Sequence, residues 1–224
     1  VSGKQGVVRG TIPVNETDFT ISGAMPDPAA QLAENLRAAL LLEPPFHLST
    51  IRIFQEPENK PDIFYTHYSP PLDSIVYWFN KRSINLYGEA LLKTMALKER
   101  GYGSTDTGAA LIRKFWKEKG LDEDEINMYD GSGLSPLNRV TTHAQVEILK
   151  FAKTRDWFPY FLQSLPDYNS MAMKSGTISD VKGFCGYHKA KNGREYIFSF
   201  LVNNYSGRSS SLVSKMYKVL DVLK

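Results

Sequence analysis

The chain has very little cysteine: Cys185 is the only one in 224 residues. A lone thiol excludes an internal disulfide and any cysteine-rich zinc site, since each needs several thiolates brought together. It does not by itself fix the compartment. Nowhere do 18 apolar residues follow one another, so no stretch is long and apolar enough for a transmembrane helix. An excess of one charge is also missing. Lys and Arg number 27 against 24 Asp and Glu, and the resulting +3 is too slight and too scattered to argue for nucleic acid. Internal repeats and low-complexity segments are absent. What remains is ordinary globular material, 42% hydrophobic and 23% charged, which excludes a disordered tail, a collagen-like repeat and a heptad rod. The length suits one large domain or two small ones.

The first sixty-odd residues read as strands around one helix. Gly6-Val7-Val8-Arg9-Gly10-Thr11-Ile12 and Asp18-Phe19-Thr20-Ile21-Ser22 have strand composition between Gly and Pro. Asp27-Pro28 reads as an N-cap followed by proline at the first helical position, opening a helix to about Leu42 that stops at Pro44-Pro45. Residues 49–55 alternate like a strand, and 56–62 form the best linker in the chain.

Beyond the linker the texture turns helical. Helices are expected from Pro70 to about Phe79, Ser83 to Arg100, Thr105 to Lys119 behind a Ser104 cap, and from a Thr142 capping box onward. Strands follow near Met171–Lys174, at Phe184–Lys189 and at Tyr196–Asn203, the last two joined by Asn192-Gly193, a strong hairpin signal. A helix from about Ser210 to Leu223 closes the chain.

Three stretches could carry chemistry. In Ser83-Ile84-Asn85 a hydroxyl and an amide stand two apart at an expected helix start, where both can reach one cavity. In Lys174-Ser175-Gly176-Thr177 a cation, a hydroxyl and a glycine follow along one strand, and the missing side chain at Gly176 lets another backbone approach. Asp130-Gly131-Ser132-Gly133-Leu134-Ser135 has two glycines around a serine and reads as a tight loop, without the G-x-S-x-G spacing of a nucleophile elbow. Taken singly, each has a plain structural explanation: a helix cap, an exposed edge lysine, a turn.

Order and spacing change that reading. Ser-x-Asn followed about ninety residues later by Lys-Ser-Gly is two thirds of the signature of serine β-lactamases and penicillin-binding proteins. With the Asp130–Ser135 loop between them, residues 66–204 resemble the D-alanyl-D-alanine carboxypeptidase/endopeptidase family, the class C low-molecular-mass penicillin-binding proteins. Arg9–Pro13 and Asp18–Pro28 look like the end of that family's inserted accessory region.

The resemblance implies an α+β fold, the C-terminal part of a penicillin-recognising domain with an antiparallel sheet and helices. Residues 66–224 would form it, and 1–65 would end a small β-rich accessory segment. It implies serine-type hydrolysis of peptidoglycan stem peptides through an acyl-enzyme, sensitivity to β-lactam antibiotics, a periplasmic or cell-envelope setting, and no metal or cofactor. Ser83 would relay a proton to the leaving amine, and Asn85 would hold the substrate carbonyl and the nucleophile's lysine. Lys174 would supply positive charge beside Ser83 and the substrate carboxylate. Ser175, Gly176, Thr177 and Ser179 would line the substrate site, with the Thr177 backbone N–H as an oxyanion donor.

The sequence also departs from the family pattern. Several relatives carry an arginine directly after the loop serine; here Pro136 stands there, with Arg139 nearby. The nucleophile's S-x-x-K motif should open a helix far upstream of Ser83. The only S-x-x-K present is Ser179-Asp180-Val181-Lys182, in a strand or turn, where Asp180 would favour a charged Lys182. The opening Val1-Ser2-Gly3-Lys4 has neither Met nor a leader pattern. The chain is therefore expected to be the C-terminal part of a longer enzyme, completed by an N-terminal part and inactive alone. The rival expectation is a non-catalytic module that binds peptidoglycan peptides or scaffolds wall proteins.

Overall fold

The computed structural model describes residues 65–224 continuously, together with 27–39 and the separate positions 10, 14, 18–20, 23 and 25. The chain divides into two compact units, Val1–His67 and Tyr68–Lys224. In the first, α1 (Pro28–Ala39) begins where expected: the Ala30 N–H donates to Asp27 Oδ1 at 3.0 Å and Pro28 takes the first helical position. Asp18–Thr20 is not strand; the Thr20 hydroxyl instead turns back to the Asp18 carbonyl. The expected strand over 49–55 and the linker over 56–62 lie outside the described residues.

The second unit joins a helical part to a sheet. Helices α2 (Leu72–Arg82), α3 (Asn85–Arg100) and α4 (Thr105–Glu118) come first, then a short pair, β1 (Ile126–Asn127) with β2 (Arg139–Val140). Helices α5 (Thr142–Lys153) and α6 (Phe158–Ser164) lead into β3 (Asp167–Tyr168), β4 (Met171–Ile178), β5 (Val181–Lys189) and β6 (Glu195–Asn203), and α7 (Ser209–Leu220) follows. The four strands form one antiparallel sheet in chain order.

Alternation along β4 and β5 gives the sheet two apolar faces. Met171, Met173, Phe184 and Phe198 pack with Met216 and Leu220 of α7 on one side. Tyr187, Ala172, Cys185 and Ile197 pack with Leu149 of α5 and Leu165, Phe158 and Phe161 from the α6 region on the other. Helices on both faces leave a central layer whose buried Met and Phe side chains each contribute about 1.5–3 kcal/mol.

Several boundaries differ from expectation for physical reasons. β4 runs on to Ile178 because it pairs with β5 as far as Ile178↔Val181, leaving Ser179-Asp180 as the turn. The β5–β6 connection is longer than an Asn-Gly turn: Ala190 N–H bonds to the Arg194 carbonyl, and Gly193 N–H returns to Ala190. The cap of α5 is Thr141, whose hydroxyl accepts from Ala144 N–H, so no capping box starts at Thr142. Helix α6 was not expected, its apolar residues being too few to show a period.

Candidate active site

Ser83 closes α2 and does not open α3. It sits in the left-handed region (φ 50, ψ 49), a conformation that costs a non-glycine residue roughly 1–3 kcal/mol. Lys81 and Arg82 in the last turn of α2 suit a helix C-terminus, and Asn85 begins α3 two residues later. The left-handed turn directs the Ser83 hydroxyl to β4. There Lys174 Nζ donates to Ser83 Oγ at 2.5 Å, joining residues 91 apart, and also to the Ser175 carbonyl at 2.8 Å.

Lys174 stands on a strand edge that is open beyond Met173, but its side chain is half-buried, where the sequence suggested an exposed one. It pairs with Cys185 across the ladder, so both lie on the sheet face that packs against α5 and α6. Burial, with Lys182 adding to it, holds the Lys174 ammonium below the ordinary lysine value, while Cys185 opposes the shift. A lysine so placed gives up its proton more easily than a solvated one. Asn85 is exposed, and among the described residues no hydrogen bond joins its side chain to Lys174 or Ser83.

Ser175 and Thr177 alternate to the other face, opposite Phe184 and Lys182. Lys182 Nζ donates to Thr177 Oγ1 at 2.6 Å and lies 5.1 Å from the centre of the Phe184 ring. This answers the S-x-x-K coincidence structurally. Ser179 stands in the β4–β5 turn, Asp180 takes φ 56, and Lys182 bonds Thr177 and not Ser179. The charged Lys182 that the sequence suggested beside Asp180 is not favoured; burial moves that lysine below its ordinary value.

Ser175, Gly176, Thr177 and Ser179 line a cleft of about 720 Å³ with Lys174 on its wall and Gly133, Pro136 and Arg139 along its rim. The outer edge of β4 past Met173 has no strand beside it among the described residues, since β3 pairs only with Met171 and Ala172. An extended peptide can therefore add along that edge. Arg139 reaches the cleft, but its guanidinium donates to the carbonyls of Pro136 and Asn138 within its own loop.

The glycine–serine loop is held from α3. Glu89 Oε1 accepts from the N–H groups of Gly131 and Ser132, each at 3.0 Å. Gly88 and Gly131 touch backbone to backbone: a Cβ on Gly88 would stand 2.1 Å from the Gly131 carbonyl oxygen. Asp130 braces the loop from within, accepting from Gly133 and Ser135 N–H at 2.6 Å and from Asn138 Nδ2 at 3.0 Å. Burial would raise the Asp130 pKa, but these donors outweigh it and hold the carboxyl below its ordinary value. Sequence reading missed Gly88 and Glu89. Their signal was an isolated glycine inside a helical pattern, which costs about 1 kcal/mol and so points to close packing.

With this geometry in view, the comparisons with known proteins become specific. The family described as D-Ala-D-Ala carboxypeptidase 3 (S13) matches residues 1–166. The chain belongs to that family. The matched span includes Ser83, Asn85 and the glycine–serine loop and ends before β4. A D-alanyl-D-alanine carboxypeptidase of Actinomadura sp. (strain R39) is 26% identical over 223 residues, covering 89% of this chain and 41% of that protein. The D-alanyl-D-alanine carboxypeptidase DacB of Haemophilus influenzae is 22% identical, over 89% of this chain and 45% of its own length. The S13 chain thus spans less than half the length of these relatives.

Solved structures agree on the fold. Penicillin-binding protein 4 from Haemophilus influenzae, in complex with a β-lactam, matches with a TM-score of 0.64 at 18% identity, over 70% of this chain and 42% of that one. A predatory peptidoglycan endopeptidase from Bdellovibrio bacteriovorus gives 0.51 at 19%, over 68% and 42%. A class A β-lactamase from Bacteroides cellulosilyticus gives 0.51 at 15%, over 68% and 62%. The α+β architecture is that of the penicillin-recognising proteins.

Proposed function

We propose that the protein carrying this S13 chain is a serine-type D-Ala-D-Ala carboxypeptidase/endopeptidase. It hydrolyses peptidoglycan stem peptides through an acyl-enzyme and works at the bacterial cell envelope, in the periplasm. The observation that carries this reading is the contact between Lys174 Nζ and Ser83 Oγ beside an open strand edge.

In this mechanism a serine outside the chain attacks the carbonyl of the D-Ala-D-Ala bond. Charge develops on the carbonyl oxygen, and the Thr177 backbone N–H stabilises it; losing such a donor typically costs ~10²–10³ in rate. Ser83 Oγ passes a proton to the leaving amine and is replenished through the lysine network in which Lys174 sits. Lys174, desolvated and hydrogen-bonded to Ser83, holds that hydroxyl in one orientation and adds positive charge towards the substrate's terminal carboxylate. Asn85, at the start of α3, holds the substrate carbonyl and the nucleophile's lysine. Ser175 supplies the hydroxyl for the carboxylate, Gly176 leaves room for the peptide backbone, and Ser179 bounds the far end of the cleft. Water then hydrolyses the acyl-enzyme.

The nucleophile is assigned outside these residues because Ser179-Asp180-Val181-Lys182 is the only S-x-x-K, and its lysine is bonded to Thr177. The Bdellovibrio endopeptidase, solved acylated by penicillin G, supports β-lactams as ligands of the full-length protein. The test is release of D-alanine from a stem pentapeptide by the full-length protein and by this chain alone. Release by the full-length protein only is expected. A full-length protein that binds the peptide and releases nothing would establish the binding or scaffolding module instead.

A further inference from the structure

The left-handed turn at Ser83 has to be held against its own strain, and a fully buried serine stands close by. Ser164, at the end of α6, is 0% exposed. Its hydroxyl both donates, to the Phe161 carbonyl at 2.6 Å, and accepts, from Asn80 Nδ2 at 2.7 Å. One residue on, Lys81 Nζ donates to the Leu165 carbonyl at 2.5 Å. Adjacent residues of α2 thus grip adjacent residues of the α6–β3 connection, across 84 positions of sequence.

The connection continues to the site. Pro166, next to Leu165, accepts from the Met173 N–H at 3.0 Å, and Met173 precedes Lys174. The bonds therefore close a ring: Ser83 to Lys174, Lys174 through Met173 to Pro166, Leu165 to Lys81, and Lys81 through Arg82 back to Ser83. Apolar packing of α2 on α6 is non-directional and would tolerate a slide of one helix along the other. Hydrogen bonds on both sides of the ring would not, because they weaken steeply with distance and angle.

We infer that Asn80 and Lys81 are positioning residues that fix the Ser83 hydroxyl on Lys174 through Ser164 and Leu165. The inference rests on the proposed reading of Ser83 and Lys174 as catalytic. It assigns no contact with substrate to either α2 residue. Their work is to keep the left-handed turn and β4 in one register, so that the two catalytic groups meet without rearrangement during the reaction.

Two measurements test it. The side-chain NMR signals of Lys174 in this chain report its contact with Ser83 whether or not any reaction occurs. The rate of acylation by labelled penicillin in the full-length protein reports the consequence. Asn80→Ala and Lys81→Met are each expected to move the Lys174 signal towards those of solvated lysines and to slow acylation by roughly 10²-fold, the penalty of an ångström-scale misplacement. Lys81→Arg, which keeps a donor for Leu165, should restore most of the rate. The double variant should be little slower than the worse single one, since both loosen the same clasp between α2 and the end of α6. Lys114→Met, at an exposed pair on α4, should leave both readouts unchanged. An unchanged Lys174 signal with acylation within a few-fold of wild type, or a Lys81→Arg variant as slow as Lys81→Met, would overturn the inference. If Lys81→Met does not fold, Asn80→Ala decides by the same criteria. A wild-type protein that is never acylated counts against the proposed function, and the Lys174 signal still decides the positioning role.

Discussion

Replacing glycine by alanine inside a helix ordinarily stabilises it by about 1 kcal/mol, so Gly88→Ala in α3 is a case where the structure predicts the opposite sign. The new methyl would stand 2.1 Å from the Gly131 carbonyl oxygen and 2.8 Å from its carbon, both backbone atoms, with Phe79 Cε2 at 3.0 Å. The two backbone atoms cannot yield by a rotamer change, so the Asp130–Ser135 loop must lift from α3. Lifting it breaks at least one of the two bonds to Glu89, each a carboxylate-assisted bond contributing about 1.5–3 kcal/mol. Strain from overpacking adds about 1–3 kcal/mol. Less the propensity gain, the net loss is about 1.5–5 kcal/mol. With a urea slope of about 2–3 kcal/mol per molar, the unfolding midpoint should fall by roughly 0.5–2.5 M. The assay is equilibrium urea unfolding followed by fluorescence, wild type against variant. An unchanged or raised midpoint would refute the close approach of α3 and the loop, and with it the bracing of the glycine–serine loop described above.

Three further outcomes follow from the sheet and the cleft. Tyr187→Phe removes a buried hydroxyl that donates to the Leu149 carbonyl at 2.8 Å, and should cost about 1 kcal/mol in thermal or urea unfolding. Burial pushes the Cys185 thiol from its ordinary 9.0 up to about 11. The folded state thus keeps a proton that the unfolded state has lost, so this group's contribution to stability is intact below about pH 9 and falls between 9 and 11. Alkylation by iodoacetamide should accordingly rise with a midpoint near 11 in the native protein and near 9 in the unfolded one; equal midpoints would contradict the burial. Lys174→Ala in the full-length protein should leave circular dichroism and unfolding nearly unchanged while slowing penicillin acylation by ~10²-fold or more. Acylation within a few-fold of wild type would remove Lys174 from the mechanism.

Much of the second unit was legible in the sequence, and the limits have physical causes. Helices α3 and α4 were visible because each carries a long periodic stretch ended by Gly101 or Gly120, and β5 and β6 because β-rich runs flank Asn192-Gly193. The two-residue strands β1, β2 and β3 have no period to read; they exist only because a partner strand lies beside them. Ser83 was singled out as a residue but placed at the wrong end of a helix. Nothing local in Arg82-Ser83-Ile84 announces a left-handed serine; bonds 84 and 91 residues away impose it. The half-burial of Lys174 was equally invisible, since it comes from the α5 and α6 layer packing over that face of the sheet. The glycine contact between Gly88 and Gly131 shows the same limit, as each glycine makes sense only against the other.

The central claim is that this chain holds part of a serine hydrolase's active site, with Ser83 and Lys174 serving a nucleophile located elsewhere in the protein. Mass spectrometry of the full-length protein after exposure to labelled penicillin tests it directly, with peptide mapping of the adduct and this chain treated in parallel. The account predicts a stoichiometric adduct on a serine outside these 224 residues, no adduct on this chain alone, and an adduct that persists in Ser179→Ala. An adduct mapped to Ser179, or a stoichiometric adduct on the isolated chain, would contradict it.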